Sequence, residues 1–128
     1  MKAEELRIGN WVTWEGEACK LDGITRDFND SPYDVEIEFS NGLFNREPIE
    51  DLKPIPLSEE WLIRFGFLLE DFNWYKNDSD DSFYISFESD YGFYVGATTY
   101  GYLKAILYVH QLQNLYFALT GKELTIEK

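Results

Sequence analysis

The stretch DLKPIPLSEEWLIRFGF, residues 51–67, divides the chain into two halves that differ in their predicted structure. Pro54 and Pro56 force the residues before them toward extended backbone, so residues 53–57 are predicted to form a short, stiff linker. The linker separates a half rich in strand patterns from a half that begins and ends with a helix. The sequence therefore predicts two small subdomains.

A short helix is predicted directly after the linker. Ser58 has the side chain and the position of a helix N-cap, and the two glutamates that follow it favour the positive end of a helix dipole. Gly66 is predicted to end this helix after about two turns. So short a helix is stable only when it packs, and its apolar residues share one face, namely Trp61, Leu62 and Phe65.

Toward the N-terminus, the sequence alternates between apolar and polar residues in short runs. Val35, Ile37 and Phe39 alternate with acidic residues, and Ser40-Asn41-Gly42 gives a hairpin signal. We predict that Ile8, Val12 and Trp14 also face a core, and that residues 27–34 form an exposed loop. Four or five short strands in about fifty residues predict a small SH3-like β-barrel or a strongly bent sheet over residues 1–57.

Toward the C-terminus, residues 67–98 again alternate. Three strands are predicted, around residues 72–75, 83–87 and 93–95, with Phe83, Ile85 and Phe87 facing inward. Residues 97–105 fit either a further strand or the approach to the last helix. The second subdomain, residues 58–128, is thus an antiparallel meander flanked by two helices. The fold class is α+β, and we expect the two parts to unfold as one cooperative unit, because each alone is marginal in size.

The last helix is predicted to begin near Leu107 and to end at Gly121. Its apolar stripe, predicted to be core, comprises Val109, Leu112, Tyr116 and Leu119. His110, Gln113 and Asn114 are spaced to share the other face and to touch one another. His110 is predicted to form hydrogen bonds, either at the helix surface or between the two subdomains.

The composition limits the classes of partner. The formal net charge is −13, from 24 acidic and 11 basic residues. Nucleic acids and anionic membranes bind to basic surfaces, so both are disfavoured, and a protein partner with basic character is favoured. The alternative is that the charge only keeps an aromatic-rich protein in solution. A homo-oligomer is left open.

The compartment is predicted to be the cytoplasm. No apolar run approaches the roughly 20 residues that span a bilayer, and the first residues carry glutamates where a signal peptide requires an apolar core. The single cysteine, Cys19, cannot form an internal disulfide, and its pattern predicts a half-buried structural thiol.

No motif for catalysis, a cofactor or a metal is found in the sequence. The only histidine, His110, lacks the nucleophile or acid that a catalytic group requires, so no catalytic residue is assigned. The acidic stretch NDSDDS, residues 77–82, lacks the glycine and glutamate of an EF-hand loop and is interpreted as a polar hairpin tip. No cysteine and histidine cluster indicates zinc, and no glycine-rich loop indicates a phosphate.

Aromatic residues are more numerous in residues 74–102 than one face of a small sheet requires. If Ile85 and its alternating neighbours face inward, Tyr84 faces outward, and Tyr94 does so on the next strand. Exposed tyrosines are suited to protein contact. The alternative is that another part of the chain covers this second face of the sheet.

Three stretches resemble a family of small uncharacterised proteins common in Bacteroidales genomes, prophages and phages. They are LRIGNWV at residues 6–12, KPIPLSEEWLIRFGF at 53–67 and YVHQLQNLYFALTGKEL at 108–124. The resemblance covers nearly the whole chain and is most specific in its last stretch. It implies a bacterial or phage cytoplasmic setting, but it implies no activity, cofactor or catalytic residue.

Two functional hypotheses follow from the sequence. The first is a non-catalytic protein-binding module, which the acidity and the surplus tyrosines favour, and which includes a phage or mobile-element accessory protein. The alternative is a small-ligand or nucleotide-binding protein that uses the aromatic sheet together with His110, Gln113 and Asn114. An enzyme is the least favoured class.

Overall fold

The structure is a computed structural model that describes residues 1, 3–25, 34–76, 83–88, 92–97 and 101–126. It divides into two compact units. The first contains residues 1–55 and 109–114, and the second contains residues 56–108 and 115–128. Each unit has its own five-stranded sheet, so the predicted α+β class is confirmed. That the units unfold together stays a prediction.

The sheet of the first unit is antiparallel, and it is curled into a half-barrel. Its strand order is β4-β3-β2-β1-β5. Short 3₁₀ helices at Ala3–Glu5 and Ile49–Asp51 precede β1 and β5. The strands are β1 (Trp11–Trp14), β2 (Glu17–Thr25), β3 (Asp34–Phe39), β4 (Phe44–Pro48) and β5 (Leu52–Lys53).

Two tight turns set the register of this sheet. Between β1 and β2, Glu15 and Gly16 both have positive φ, as in the type I′ turn whose twist matches that of a hairpin. Between β3 and β4, Gly42 has a φ of 85° and donates its N–H to the Phe39 carbonyl at 2.9 Å. The hairpin predicted from Ser40-Asn41-Gly42 is confirmed. The predicted loop 27–34 lies outside the described residues, apart from Asp34, which begins β3.

The core of the first unit follows the predicted alternation along β3. The predicted inward residue Ile8 is instead 63% exposed, because it lies in the turn before β1, where Gly9 has positive φ and the Asn10 N–H donates to the Arg7 carbonyl. Cys19 is fully buried rather than half-buried. The buried cluster comprises Leu6, Val12, Cys19, Leu21, Val35, Ile37, Phe39, Ile49 and Leu52, with Trp14 partly buried against it.

Helix α1, Glu59–Arg64, opens the second unit as predicted. The Ser58 hydroxyl accepts the N–H of Trp61, and Gly66 follows the helix with a φ of 87°. These two residues bracket the helix at the predicted positions, so its N-cap and its end are confirmed. Its buried face consists of Trp61 and Leu62 together with the capping residue Phe65.

The sheet of the second unit is an antiparallel meander in the order β10-β9-β8-β7-β6. Three strands were expected, but five are present, because Phe67–Glu70 pairs with the next strand and Gly101–Ile106 resolves the ambiguous segment as a strand. The strands are β6 (Phe67–Glu70), β7 (Asn73–Lys76), β8 (Phe83–Glu88), β9 (Gly92–Ala97) and β10 (Gly101–Ile106). The stretch 77–82 lies outside the described residues.

One face of this sheet is largely buried. Trp74, Ile85 and Val95 are neighbours across three strands and are at most 5% exposed. Phe87 lies on the same face but is 52% exposed, so its predicted burial is wrong. It lies near the end of β8, next to Phe93, with ring centroids 4.9 Å apart. The alternation thus predicts the face correctly, but it does not predict where along the strand the core ends.

Helix α2, Val109–Thr120, begins two residues later than predicted, since Leu107 is exposed and Tyr108 forms a β-bridge with Pro56. The N–H of Gly121 donates to the Phe117 carbonyl at 2.8 Å, which confirms the predicted end. Leu119 is 47% exposed, so its place in the predicted core stripe is wrong. The other three residues of the stripe, Val109, Leu112 and Tyr116, are buried.

Candidate interaction site

The turn between β6 and β7 places an aromatic residue in an unfavourable backbone conformation. Glu70 pairs with Asn73, so Asp71 and Phe72 are the two central residues, with φ of 50° and 72°. Such turns favour Asn-Gly or Asp-Gly, because a β-carbon at positive φ costs about 1 kcal/mol or more. Aspartate is found at positive φ more often than most residues, whereas phenylalanine rarely adopts it. The Phe72 side chain is also 91% exposed.

Phe72 borders a shallow depression of about 420 Å³ in the second unit. Leu69, Trp74 and Phe87 line it together with Phe72. Trp74 is 5% exposed, whereas Leu69 and Phe87 are both more than half exposed. The depression is therefore an extension of the core face of the sheet beyond the point where the core ends.

The charged residues of the depression have one sign. Among the described residues, the charged ones that line it are Glu59 and Asp71, and both are exposed. Arg64, on the same helix as Glu59, is paired with Glu60 at 2.9 Å and lies over the ring of Trp61. An apolar surface with carboxylates at its edge attracts a group that combines an apolar stem and a positive charge.

Tyr84 and Tyr94 are the predicted interaction residues of the second sheet. They lie on the face opposite to the one that carries Trp74, Ile85 and the depression. Ser86 pairs with Tyr94, and Tyr84 pairs with Gly96, so the two tyrosines are neighbours on one face. Both are half-buried. The ring of Tyr84 covers Gly96, where a β-carbon would lie 2.3 Å from it, and it lies 5.9 Å from the ring of Tyr75. Tyr84 therefore faces away from Ile85, as predicted, but its ring packs along the sheet surface.

The predicted polar face of the last helix is engaged within the first unit. Gln113 is 1% exposed, its Oε1 accepts the Trp11 N–H at 2.8 Å, and its Nε2 donates to the Gly9 carbonyl at 2.9 Å. This one carboxamide satisfies two backbone groups at the start of β1. The fold itself therefore uses the carboxamide of Gln113 within the first unit.

Asn114 continues the same set of hydrogen bonds. Its Oδ1 accepts from Asn10 Nδ2 at 2.9 Å and from Arg7 Nη1 at 3.4 Å, and its Nδ2 donates to the Glu5 carbonyl at 3.0 Å. Asn10 is itself buried, and its Oδ1 accepts the Arg7 N–H. The polar atoms of Gln113 and Asn114 thus hold the segment 5–11.

His110 is 3% exposed, so of the two predicted alternatives the one at the helix surface is excluded. Burial lowers the pKa of its imidazole, and the carboxylate of Glu5 partly opposes this by raising it. The neutral ring is therefore favoured in the folded protein.

Two further groups of the first unit have shifted pKa values. Burial raises the pKa of the Cys19 thiol to about 11, and repulsion by Glu17 adds to the effect. The pKa of Asp22 is raised, first by partial burial and then by its hydrogen bond to Glu38. A raised thiol pKa suppresses the reactive thiolate, which agrees with the predicted structural role of Cys19.

Within the ranges that the structure describes, no group of three or more potential metal ligands is found. In the same ranges, no helix has the length and apolarity needed to cross a membrane. The sequence matches no family model, and neither the curated proteins nor the solved structures contain a match.

The β6–β7 turn is not indicated by the alternation of apolar residues, which predicts Phe72 to lie in a strand. The signal that could have found it is the acidic pair Glu70-Asp71 followed by Phe72-Asn73 between two apolar runs. An Asp at the first central position of a two-residue turn is ordinary, and the register of the flanking strands then places the next residue at positive φ.

Proposed function

We propose that this protein is a non-catalytic protein-binding module and that its binding surface is the β6–β7 turn with the adjoining depression. The observation that carries the proposal is Phe72, a phenylalanine held at positive φ with 91% of its surface exposed. Residues held in such conformations are concentrated at ligand-binding and switch regions.

Phe72 has two costs that the described fold does not offset. Its backbone conformation is disfavoured, and its exposed ring contributes little to burial. Glycine in its place would remove the first cost. An aromatic ring that is exposed in the free protein and lines one depression together with Leu69, Trp74 and Phe87 has the composition of a binding hot spot.

The alternative function, a small-ligand site on the His110 face, receives less support. Gln113 and Asn114 use their polar atoms in hydrogen bonds to the segment 5–11, and His110 is buried. A ligand there would have to replace hydrogen bonds that hold the fold.

The proposal includes an SH3-like barrel for the first unit and a phage or mobile-element accessory role in the cytoplasm. The barrel is supported by the strand order β4-β3-β2-β1-β5 and by the 3₁₀ helix that precedes β5. The biological setting is supported by the sequence resemblance.

The test compares capture by the wild-type protein with capture by two variants. Phe72→Gly removes the ring and suits the turn, and Phe44→Ser removes another exposed phenylalanine, 62% exposed on β4. A protein captured from a bacterial lysate is identified, purified and titrated calorimetrically. We expect Phe72→Gly to weaken its affinity by about 30-fold or more, as for a hot-spot residue, and Phe44→Ser to change it less than twofold.

The proposal fails if Phe72→Gly binds the purified partner as tightly as the wild type does. It also fails if both variants lose affinity equally, because the loss would then reflect general apolar exposure rather than this turn.

A further inference from the structure

We propose that the depression beside Phe72 binds an arginine side chain and an adjacent apolar residue, both presented by an exposed segment of the partner protein. This inference rests on the proposed function and specifies the chemistry of the partner. Two features of the depression support it, namely its apolar lining and its carboxylates, and the charge of the whole chain supports it as well.

The apolar lining requires an apolar contribution from the ligand. Leu69 and Phe87 are each more than half exposed and flank the nearly buried Trp74. A volume of about 420 Å³ lies toward the lower end of the range for binding sites of small molecules, so the depression suits one or two side chains rather than a whole folded element.

The two carboxylates of the depression favour a ligand that carries a positive charge next to its apolar part. Glu59 stands at the first position of α1, and Asp71 stands in the turn beside Phe72. No lysine or arginine lines the depression among the residues described. A ligand with an anionic group, such as a phosphate, would meet two carboxylates and, among these described residues, no compensating cation.

Arginine fits these requirements better than lysine does. Its stem can lie along apolar surface, its planar guanidinium can stack on the rings of Phe72 or Phe87, and its fork of N–H donors matches a carboxylate. The ammonium group of lysine is compact and more strongly hydrated, so it loses more hydration free energy than a guanidinium when it leaves water. The lining of Trp74, Phe72 and Phe87 with Glu59 and Asp71 offers partners for each part of an arginine side chain.

The charge of the whole chain favours the same partner. With a net charge of −13, the protein attracts basic segments from a distance and repels acidic ones. Long-range attraction alone would place a basic segment anywhere on the surface, whereas the depression offers a defined site for it.

The experiment titrates isotopically labelled full-length protein with two blocked hexapeptides, acetyl-Gly-Ser-Arg-Leu-Ser-Gly-amide and the same peptide with citrulline in place of arginine. Citrulline keeps the shape of the side chain and removes its charge. The indole N–H of Trp74 and the backbone amides of residues 69–74 report binding at the depression. We expect the arginine peptide to bind there at least about fivefold more tightly than the citrulline peptide.

Two double variants locate the charge effect. Glu59→Gln with Asp71→Asn neutralises the depression, and asparagine tolerates the positive φ at position 71. Glu50→Gln with Asp51→Asn makes the same change in net charge at two exposed residues of the first unit. We expect the first pair to abolish the preference for arginine and the second pair to keep it.

Three results would overturn the inference. They are equal binding of the two peptides, no perturbation at Trp74 by the arginine peptide at about 5 mM, and an arginine preference that survives Glu59→Gln with Asp71→Asn. Each result leaves the proposed function to be judged by Phe72→Gly and the captured partner. Failure of the arginine chemistry is therefore distinguishable from failure of the binding surface.

Discussion

The carboxamide contacts of the first unit and the β6–β7 turn of the second unit use their side chains in opposite ways. Gln113 is buried, and both ends of its carboxamide bind backbone groups of residues 9 and 11. Phe72 is exposed, and its backbone lies in a region that phenylalanine rarely adopts. The contacts of Gln113 stabilise the fold and use both ends of its carboxamide, so neither end is open to a ligand. The conformation of Phe72 lowers stability but leaves its aromatic ring exposed for contact with a partner.

Two of the tight turns that the structure describes show the same contrast at the level of single residues. Glu15-Gly16 and Asp71-Phe72 both have positive φ at their two central residues. Glycine takes the second position in the first turn, where it relieves the backbone, and phenylalanine takes that position in the other. A two-residue turn between strands therefore does not require phenylalanine at this position, since the β1–β2 turn has glycine there, which is the more stable residue at positive φ.

The largest expected change in stability is at Gln113, in the carboxamide contacts of the first unit. Gln113→Ala should lower the free energy of unfolding by about 2–5 kcal/mol, because it leaves the Trp11 N–H and the Gly9 carbonyl without their buried partner. Asn114→Ala should cost about 1 kcal/mol, since its surroundings are only partly buried. Urea denaturation of both variants measures the difference. If Gln113→Ala retained wild-type stability and lost binding to the partner, Gln113 would belong to the binding site, and its contrast with Phe72 would be wrong.

An intermediate effect of opposite sign is expected at the two turns. Phe72→Gly should raise the free energy of unfolding by about 0.5–1 kcal/mol, because the relief of the backbone exceeds the added entropy of the unfolded chain. Gly16→Ala should lower it by about 1 kcal/mol, since an added β-carbon meets nothing within 4 Å and only the positive φ opposes it. Thermal melts of the pair test the signs. A loss of stability in Phe72→Gly would mean that the ring packs in the free protein.

The smallest effect expected is a pH dependence that belongs to His110. Burial lowers the pKa of this histidine in the folded state. Its contribution to stability is therefore fully present above the unfolded pKa of about 6.5 and is lost as the pH falls toward the lower folded pKa. Melting temperatures between pH 7.5 and 5 should fall more for the wild type than for His110→Gln.

His110 is the only histidine, so no other imidazole contributes to this difference. Equal pH profiles for the two proteins would show that the ring is solvated. If His110→Gln instead kept its stability and lost partner binding, the histidine would belong to a functional site.

Local patterns predicted those features that depend on neighbouring residues. Ser58 and Gly66 bracket α1, Gly42 turns the β3–β4 hairpin, and Gly121 follows α2, all as the sequence indicates. These residues act through backbone conformation and capping, which are set within a few positions of the chain. The alternation along β3 likewise predicted its buried face.

Predictions that required knowledge of distant packing were less accurate. Leu119 and Phe87 continue apolar patterns but are exposed, because a pattern gives the direction of a side chain and not the extent of the core. The strand Phe67–Glu70 was missed, since three of its four residues are exposed and its pairing with Asn73–Lys76 defines it. Among the candidate residues, the sequence placed Tyr84 and Tyr94 on one face, but it did not show that Tyr84 packs over Gly96.

The sequence by itself determined the α+β class, both ends of α1, the C-terminal end of α2 and the negative charge of the protein, since these follow from local residue types and from composition. Only the tertiary structure decided which polar residues are used by the fold and which side chains remain available. The spacing of His110, Gln113 and Asn114 is the same on an exposed helix as on a buried one, and the segment 5–11 that meets Gln113 and Asn114 lies about a hundred positions away. The positive φ of Phe72 arises from the pairing of Glu70 with Asn73, so it exists only once both strands are formed.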